Sequence, residues 1–399
     1  MANVILSPSI IAKETLRILV NNLVFASRVN RQFENRFTKI GSTLTVRKPV
    51  RFTVSQGPGL QVQDIVEPST TIAINRQRHV DFQFYSSDLT LTIENFGDRY
   101  LKPAAEALAN QIDFDVASNF INVNNWVAHG GAAGGGVNAF ADVALAARRL
   151  DELAVPQNDR TLVLNPAAFW GLAGGLTANI YVSTVVEDVL ARGFIANIAG
   201  LDVYMDQNIQ SQTAGTQGGA GVTTVASQTG ATLNTNGWTA SVTNLLRAGD
   251  CFTVAGVNAV NPQNHQSTGV LANFVVTANV NSDGGGNAAI PISPAIVASG
   301  SYQNVSNAPA LGSAIVVLNG ASGTTYAQNM AFHRDAFGLV TVPLELPEGV
   351  DFAAREVYKG ISLRVVRAYD PYNDVFPCRV DVLYGVATFY PELACRLSA

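Results

Sequence analysis

Charge is what this sequence has least of. Asp, Glu, Lys and Arg together make up 14% of its 399 residues, against about 25% in an average soluble protein. A solitary molecule of this composition leaves a poorly hydrated surface, and burying that surface against further copies of itself removes the difficulty. Lys and Arg form no run and the formal net charge is -5, so the basic stripe of a dedicated nucleic-acid binder is missing. Cysteine is scarce and odd in number. Cys251, Cys378 and Cys395 are far apart with no CxxC pair, which excludes a disulfide framework or zinc site and leaves three reduced thiols. No stretch reaches the roughly 18 uninterrupted apolar residues of a membrane helix. The opening residues, MANVILSPSIIAKETLRILV, lack a basic region followed by an apolar core and a small-residue cleavage site. The expectation is a chain without a secretory signal, made and assembled in a cytoplasm.

Chemical motifs are equally thin. His79, His129, His265 and His333 fall in no HExxH, HxH or Cys/His pattern, so no metal site is assigned. There is no GxSxG elbow, and GGAAGGG (Gly130–Gly136) lacks the Lys-Ser/Thr of a phosphate loop and reads as a hinge. His333, Arg334 and Asp335 are adjacent, and neighbours on a strand point to opposite faces, so they form no triad. The carboxylate pairs Asp113/Asp115 and Asp151/Glu152 are two and one apart. On a helix such residues do not face each other, and solvated helix faces are expected. No catalytic, cofactor-binding or metal residue is named, no cofactor is expected, and a structural role is expected in place of an enzyme.

What is present is a clear order of parts. Residues 9–26 have helical apolar spacing at Ile11, Leu16, Ile18, Leu19, Leu23 and Val24. With little of its own domain to pack against, this helix is expected to rest its apolar side on a neighbouring subunit. Residues 43–96 change to period two: TLTVRKPVRFTV and TIAINRQRHVDFQFYSSDLTLTI flank Gly57-Pro58-Gly59, which predicts a long β-hairpin. Such a ribbon is marginal alone and needs a partner surface. Leu101, Ala105, Leu108, Ile112, Val116, Phe120 and Val123 predict a helix over 99–124, with Asp98 as cap and Pro103 in its first turn. At 1.5 Å per residue it would be roughly 38 Å long.

Residues 138–209 alternate helix and strand: a helix from Asn138 as cap, a short buried strand RTLVLNP, a short helix AAFWGLAG, another helix at Val185–Ala191, and a strand Ile198–Met205. Residues 210–325 differ in kind. Their only charged residues are Arg247, Asp250 and Asp283, and short apolar runs (FTVAGV, FVVTANV, AIVVL) alternate with Gly and Asn. Such β-branched runs are out of place in a disordered linker and predict an inserted all-β barrel or sandwich. Residues 326–399 return to ordinary composition and read as strands of a sheet that the insertion interrupts, with Ile361, Leu363 and Val365 on one face and Ser362 and Arg364 on the other.

Four segments carry a resemblance. AAEALANQIDFDVASNFIN (Ala104–Asn122) is similar to a long spine helix, NPAAFWGLAG (Asn165–Gly174) to a strand-to-helix turn, AGDCFTVAGVNAVNP (Ala248–Pro262) to the start of a strand pair in an insertion, and MAFHRDAFGLVTVPLELP (Met330–Pro347) to the strand where the fold resumes. In this order they resemble the Hong Kong 97 fold of tailed-bacteriophage major capsid proteins. The character is closest to the coat proteins of Salmonella short-tailed phages, which carry an insertion domain. The N-terminal arm matches in character only.

The resemblance implies an α+β chain divided into an N-terminal arm (1–36), an extended β-hairpin (37–97), a spine helix with peripheral and axial α+β region (98–209), an inserted β-barrel-like domain (210–325) and returning strands (326–399). It implies a major capsid protein of the virion, assembled in the host bacterial cytoplasm as pentamers and hexamers around a scaffolding protein into a precursor shell that expands. A portal protein and, as an optional addition, a decoration protein would be further partners, no membrane is involved, and double-stranded DNA is enclosed without specific contact. The hairpin would lie across a neighbour, the arm would move on expansion, and the insertion would stabilise the monomer or contact neighbours across local two-folds. From its cluster of cations, Arg47, Lys48 and Arg51 are expected to pair with acidic residues of an adjacent subunit; plain solubilising charge is the competing reading. Three other roles compete: an encapsulin-like compartment shell, although those shells are usually shorter; a β-rich adhesin or tail module, which lacks a long spine helix; and an enzyme with an unrecognised site.

Overall fold

The computed structural model describes residues 12–13, 15–19, 23–33, 43–54, 56–85, 102–131, 134–179, 197–350, 352–358 and 361–398. In chain order the first strands are β1 (Thr43–Arg47), β2 (Ser69–Ala73), β3 (Arg76–Tyr85), β4 (Trp126–Ala128), β5 (Arg160–Leu164), β6 (Asn197–Ile198), β7 (Leu201–Met205) and β8 (Ser211–Thr213). The middle of the chain gives β9 (Gly219–Thr223), β10 (Gly230–Trp238), β11 (Cys251–Val260), β12 (Ser267–Val276), β13 (Ala288–Ile296) and β14 (Ile315–Val317). The last are β15 (Thr325–His333), β16 (Phe337–Thr341), β17 (Phe352–Tyr358), β18 (Ile361–Arg367), β19 (Val375–Thr388) and β20 (Ala394–Ser398). Among the described residues, the helices with bounds given are α1 (Lys102–Ala117), α2 (Phe140–Glu152) and α3 (Pro166–Asn179). They belong to two compact units, each assembled from several chain segments: residues 1–46, 69–116 and 337–389 in one, and 47–68, 117–336 and 390–399 in the other.

The first unit is organised by β19. Strand β3 pairs along one edge of it, from Val375↔Tyr85 to Tyr384↔Arg76, while β18 and then β16 pair along the other. Ile361, Leu363 and Val365 are fully buried, as their alternation requires. Ser362 on the opposite face is buried too, so both faces of β18 are covered. The hairpin expected over 43–96 is therefore shorter in its paired part. β1 and β2 form a two-stranded ribbon, but β3 is taken by β19, because its alternating side chains find a wider sheet there. Residues 86–96 of that expectation lie outside the described residues.

The N-terminal helix, described over 12–13 and 15–19, also differs from expectation. Ala12, Leu16 and Leu19 are fully buried, so its apolar side is covered by the chain itself and not left for a neighbour. α1 spans 16 residues and continues as a 3-10 turn, Ser118–Asn122. Its described part is roughly 24 Å of α-helix at 1.5 Å per residue, and the last expected turn tightens. Ala105, Leu108, Ile112, Val116, Phe120 and Val123 are buried as that periodicity requires; Asp98 and Leu101 lie outside the described residues.

The second unit contains a seven-stranded sheet in the order β4-β20-β15-β5-β7-β6, with β8 on β15. β5 is buried at every position, and it runs parallel to β7. Val143, Leu150, Phe169, Leu172 and Leu176 of α2 and α3 pack on Leu162, Leu164 and Val203 of this sheet. Asn165 caps α3 by accepting the Ala168 N–H at 2.9 Å. At α2 the expected cap, Asn138, uses its side chain on Gly135 O, and Asp142 reaches back to accept the Asn138 and Ala139 N–H groups at 2.9 and 3.0 Å. The helix expected at Val185–Ala191 lies outside the described residues.

The insertion hangs from this sheet by a two-strand neck, where Thr213 and Thr325 are register partners. Beyond the neck, β14-β11-β12-β13-β10-β9 form one sheet. It closes on itself: Val222 bridges Ala314, and Thr223 exchanges backbone bonds with Ser313 (3.1 Å) and Gly312 (2.9 Å). The result is a six-stranded barrel filled by Leu233, Trp238, Phe252, Phe274, Ile290 and Ile292. Closure removes the sheet edges, which is how so uncharged a segment avoids edge-to-edge aggregation. Asp250 is fully buried at the barrel base. It accepts the N–H groups of Arg247 and Gly215 at 2.8 and 2.9 Å and the Gln212 amide at 3.0 Å. Burial raises its carboxyl above the usual range against those bonds.

Candidate assembly interface

The segment between β1 and β2 forms an extended arm. Its base is closed by the Lys48 N–H donating to Pro68 O at 2.8 Å and by an exposed Arg47–Glu67 pair at 3.1 Å. Further out, Thr53 N–H donates to Gln63 Oε1 at 2.9 Å and Gln63 Nε2 donates back to Thr53 O. Little else ties its legs together, and its apolar side chains face water. Val54 is 98% and Leu60 92% exposed, and Phe52, Val62, Ile65 and Val66 are exposed as well. Scattered exposed apolar residues are ordinary, but six within 15 positions make a patch that water hydrates badly, the mark of an interaction surface.

The three cations expected in contacts between subunits sit at the root of this arm, and each has a partner within the chain. Arg47 pairs with Glu67. Lys48 Nζ lies 4.7 Å from the centre of the Tyr390 ring. Burial lowers its ammonium pKa, with Glu392 opposing and Arg51 reinforcing the shift. Arg51 reaches Glu392 at 3.5 Å and its guanidinium stands 5.9 Å from the Tyr302 ring centre. The Tyr302 hydroxyl donates to Val66 O at 2.7 Å and accepts the Arg51 N–H at 3.4 Å. Sequence reasoning missed Tyr302, Tyr390 and Glu392, which lie hundreds of positions away with no periodicity linking them to the arm.

In the other unit, α1 carries two buried carboxylates. The expectation of solvated faces for Asp113 and Asp115 is corrected, since they are 1% and 4% exposed. Two positions apart on a helix is about 200° around its axis, so each clamps a different segment. Asp113 accepts the N–H groups of Val24 and Ala26, both at 2.7 Å. Asp115 takes Arg76 at 3.1 Å, Arg78 at 3.0 Å and the Tyr384 hydroxyl at 2.5 Å. Burial, then the hydrogen bond to Asp115, pushes the Tyr384 phenol far up; hydrogen bonding to Tyr384 and Asp115 raises the Arg78 pKa. The legible signal was the pair of acids inside an otherwise apolar turn, QIDFDVA. Asp151, by contrast, is exposed and salt-bridged to Arg160 at 2.7 Å, and Glu152 pairs with Arg148 and Arg149.

Chemistry is poorly provided for. All three cysteines are unpaired and buried, and burial pushes the thiols of Cys251 and Cys378 up to about 11 and that of Cys395 to about 12. They are protonated and weakly nucleophilic at neutral pH. His333 ends β15, and its Nδ1 accepts the Asp335 N–H at 3.2 Å across a 3-10 turn. Among the described residues no group of three or more His, Cys, Asp or Glu could hold a metal ion, and no helix is long and apolar enough to cross a membrane.

The family model described as "P22 coat protein - gene protein 5" matches residues 3–396. The chain belongs to the P22 coat protein family. A solved structure from Mycobacterium phage Che8 is similar at a TM-score of 0.50 and 14% identity, over 94% of this chain and 90% of that one. The capsid of cyanophage P-SCSP1u gives 0.44 and 10% over 90% and 83%. The holo-SrpI encapsulin complex of Synechococcus elongatus PCC 7942 gives 0.40 and 10% over 90% and 83%. No curated protein matches. The coat protein has the Hong Kong 97-like fold with an inserted all-β domain. It is a major capsid protein: copies of it build the shell of a phage head, and its place is the virion.

Proposed function

We propose that this coat protein assembles as pentamers and hexamers around a scaffolding protein into a precursor shell that expands when DNA is packaged. The supporting observation is the arm of residues 48–68, whose apolar side chains stand exposed and need a surface to cover them. Lying across an adjacent subunit satisfies them. In this reading Arg47, Lys48 and Arg51 contribute ion pairs to acidic residues of the neighbour, where desolvation strengthens them. The shell closes around a portal protein and accepts a decoration protein. Assembly takes place in the host cytoplasm, and the chain is not an enzyme. Its net charge of -5 suits a wall that encloses DNA without gripping it.

Negative-stain microscopy of the expressed chain with and without its scaffolding partner tests this. Closed shells of uniform size with scaffold, and irregular or open products without it, are expected. Closed particles formed alone around a cargo enzyme would indicate a compartment shell, and a small monomer or trimer under every condition an adhesin-like module. Replacing Arg47, Lys48 and Arg51 together by Gln is expected to weaken the shells towards urea and salt. Shells of normal yield and stability from that variant refute the ion-pair role.

A further inference from the structure

A two-stranded ribbon is marginal by itself, and the arm's own ties are few. What holds it in one direction is a set of contacts at its root. Tyr302 touches both legs: its hydroxyl bonds Val66 O on the returning leg and the Arg51 N–H on the outgoing leg, and its ring lies near the Arg51 guanidinium. The Arg51–Glu392 pair and the Lys48–Tyr390 contact supply a second anchor. Behind them lies a cleft of about 570 Å³ lined by Lys48, Arg51, Arg149, Tyr302, Tyr390 and Glu392. The outgoing leg is thus held at points and not packed along its length.

Tyr302 is itself fixed. It stands on the loop following β13, where Asn304 accepts the Val297 N–H at 3.0 Å and donates to Ala295 O at 2.7 Å. Val305 beside it is fully buried in the barrel core and bridges Ala259. The peg therefore moves only with the barrel. Its leverage is large. From Arg51 to the tip at Gly57 is about 6 residue steps, or roughly 20 Å at 3.3 Å each, so a swing of about 15° at the root displaces the tip by about 5 Å, more than a van der Waals contact tolerates.

We propose that Tyr302 is a positioning residue for assembly, and that the inserted barrel is the bracket that sets the direction in which the arm leaves the subunit. The Arg51–Glu392 pair is the secondary anchor. This rests on the reading that the arm lies on a neighbouring subunit.

The test compares the full-length wild-type chain with Tyr302→Phe, which keeps the ring and the fold, and Tyr302→Ala. Hydrogen exchange is read first on the soluble subunit. Loss of the hydroxyl bonds in Tyr302→Phe is expected to speed exchange of the Arg51 and Thr53 amides about fivefold, the equivalent of one ordinary hydrogen bond. Tyr302→Ala is expected to speed it further, with the strands of the barrel unchanged in both. Scaffold-assisted assembly is read second by microscopy, where Tyr302→Ala is expected to give shells of mixed size or open sheets. Unchanged exchange in the arm of Tyr302→Ala overturns the proposal, and so do uniform shells built from a loosened arm. A wild-type chain that makes no shells strikes the assembly reading and with it the role in assembly, while the exchange comparison still decides whether Tyr302 holds the arm.

Discussion

Asp113→Asn isolates a single clamp. In the native subunit both oxygens of Asp113 accept a backbone N–H, from Val24 and Ala26, each at 2.7 Å in a buried setting. Hydrogen bonds to a charged acceptor contribute about 1.5–3 kcal/mol each, so the two are worth about 3–6 kcal/mol against an empty site. Asparagine keeps one neutral acceptor, worth about 1 kcal/mol, and turns an NH2 donor towards an N–H that already needs an acceptor. The expected cost is about 2–5 kcal/mol of local stability in residues 23–33. That corresponds to about 30- to 4,000-fold faster opening of that segment, at a factor of ten for each 1.4 kcal/mol.

Hydrogen exchange read by mass spectrometry on the soluble chain, over peptides containing Leu23–Phe33, measures this directly. Asp115→Asn supplies the contrast. It is expected to loosen β3 through Arg76, Arg78 and Tyr384 and to leave residues 23–33 unchanged, because the two side chains leave the helix on opposite sides. If the Val24 and Ala26 amides of Asp113→Asn exchange within about threefold of wild type, or if both variants loosen both segments equally, Asp113 is not a dedicated clamp and the reasoning fails.

Two further outcomes follow from buried groups. Burial holds the His333 imidazole below its ordinary range, with Asp335 and Asp159 opposing and Arg160 and Arg334 reinforcing. The unfolded chain therefore takes up the proton first, and as pH falls from about 6.5 towards the lower folded value stability is lost. His333→Asn keeps an acceptor for the Asp335 N–H and is expected to flatten thermal stability between about pH 5 and 7; an unchanged pH profile refutes the assignment. Gly221→Ala would place a Cβ 2.1 Å from the Trp238 ring, displacing the ring from its bond to Thr235 Oγ1 at a cost of about 1–3 kcal/mol. A red-shifted tryptophan emission and a lower melting temperature are expected, and an unaltered spectrum and melt would contradict the packing described.

Much of this coat protein could be read from order and periodicity. The heptad-like spacing from Ala105 to Val123 marked the spine helix, the drop in charge over 210–325 marked the barrel, and the alternation at Ile361–Val365 marked a core strand. Those signals are local: they arise because one helix stripe or one strand face must be buried, and that demand is written into neighbouring residues. Low charge and a long hairpin that is marginal by itself likewise foretold assembly. Tertiary structure alone decided the rest. It assigned β3 to β19 instead of to the hairpin, because pairing partners are chosen by the whole sheet and not by proximity in the chain. It turned Asp113 and Asp115 from surface acids into clamps, since a carboxylate's role depends on which donors the fold brings to it. It also put Tyr302, from a barrel hundreds of residues downstream, between the two legs of the arm, a juxtaposition with no trace in the spacing of the sequence because long-range contacts are fixed only when the chain closes on itself.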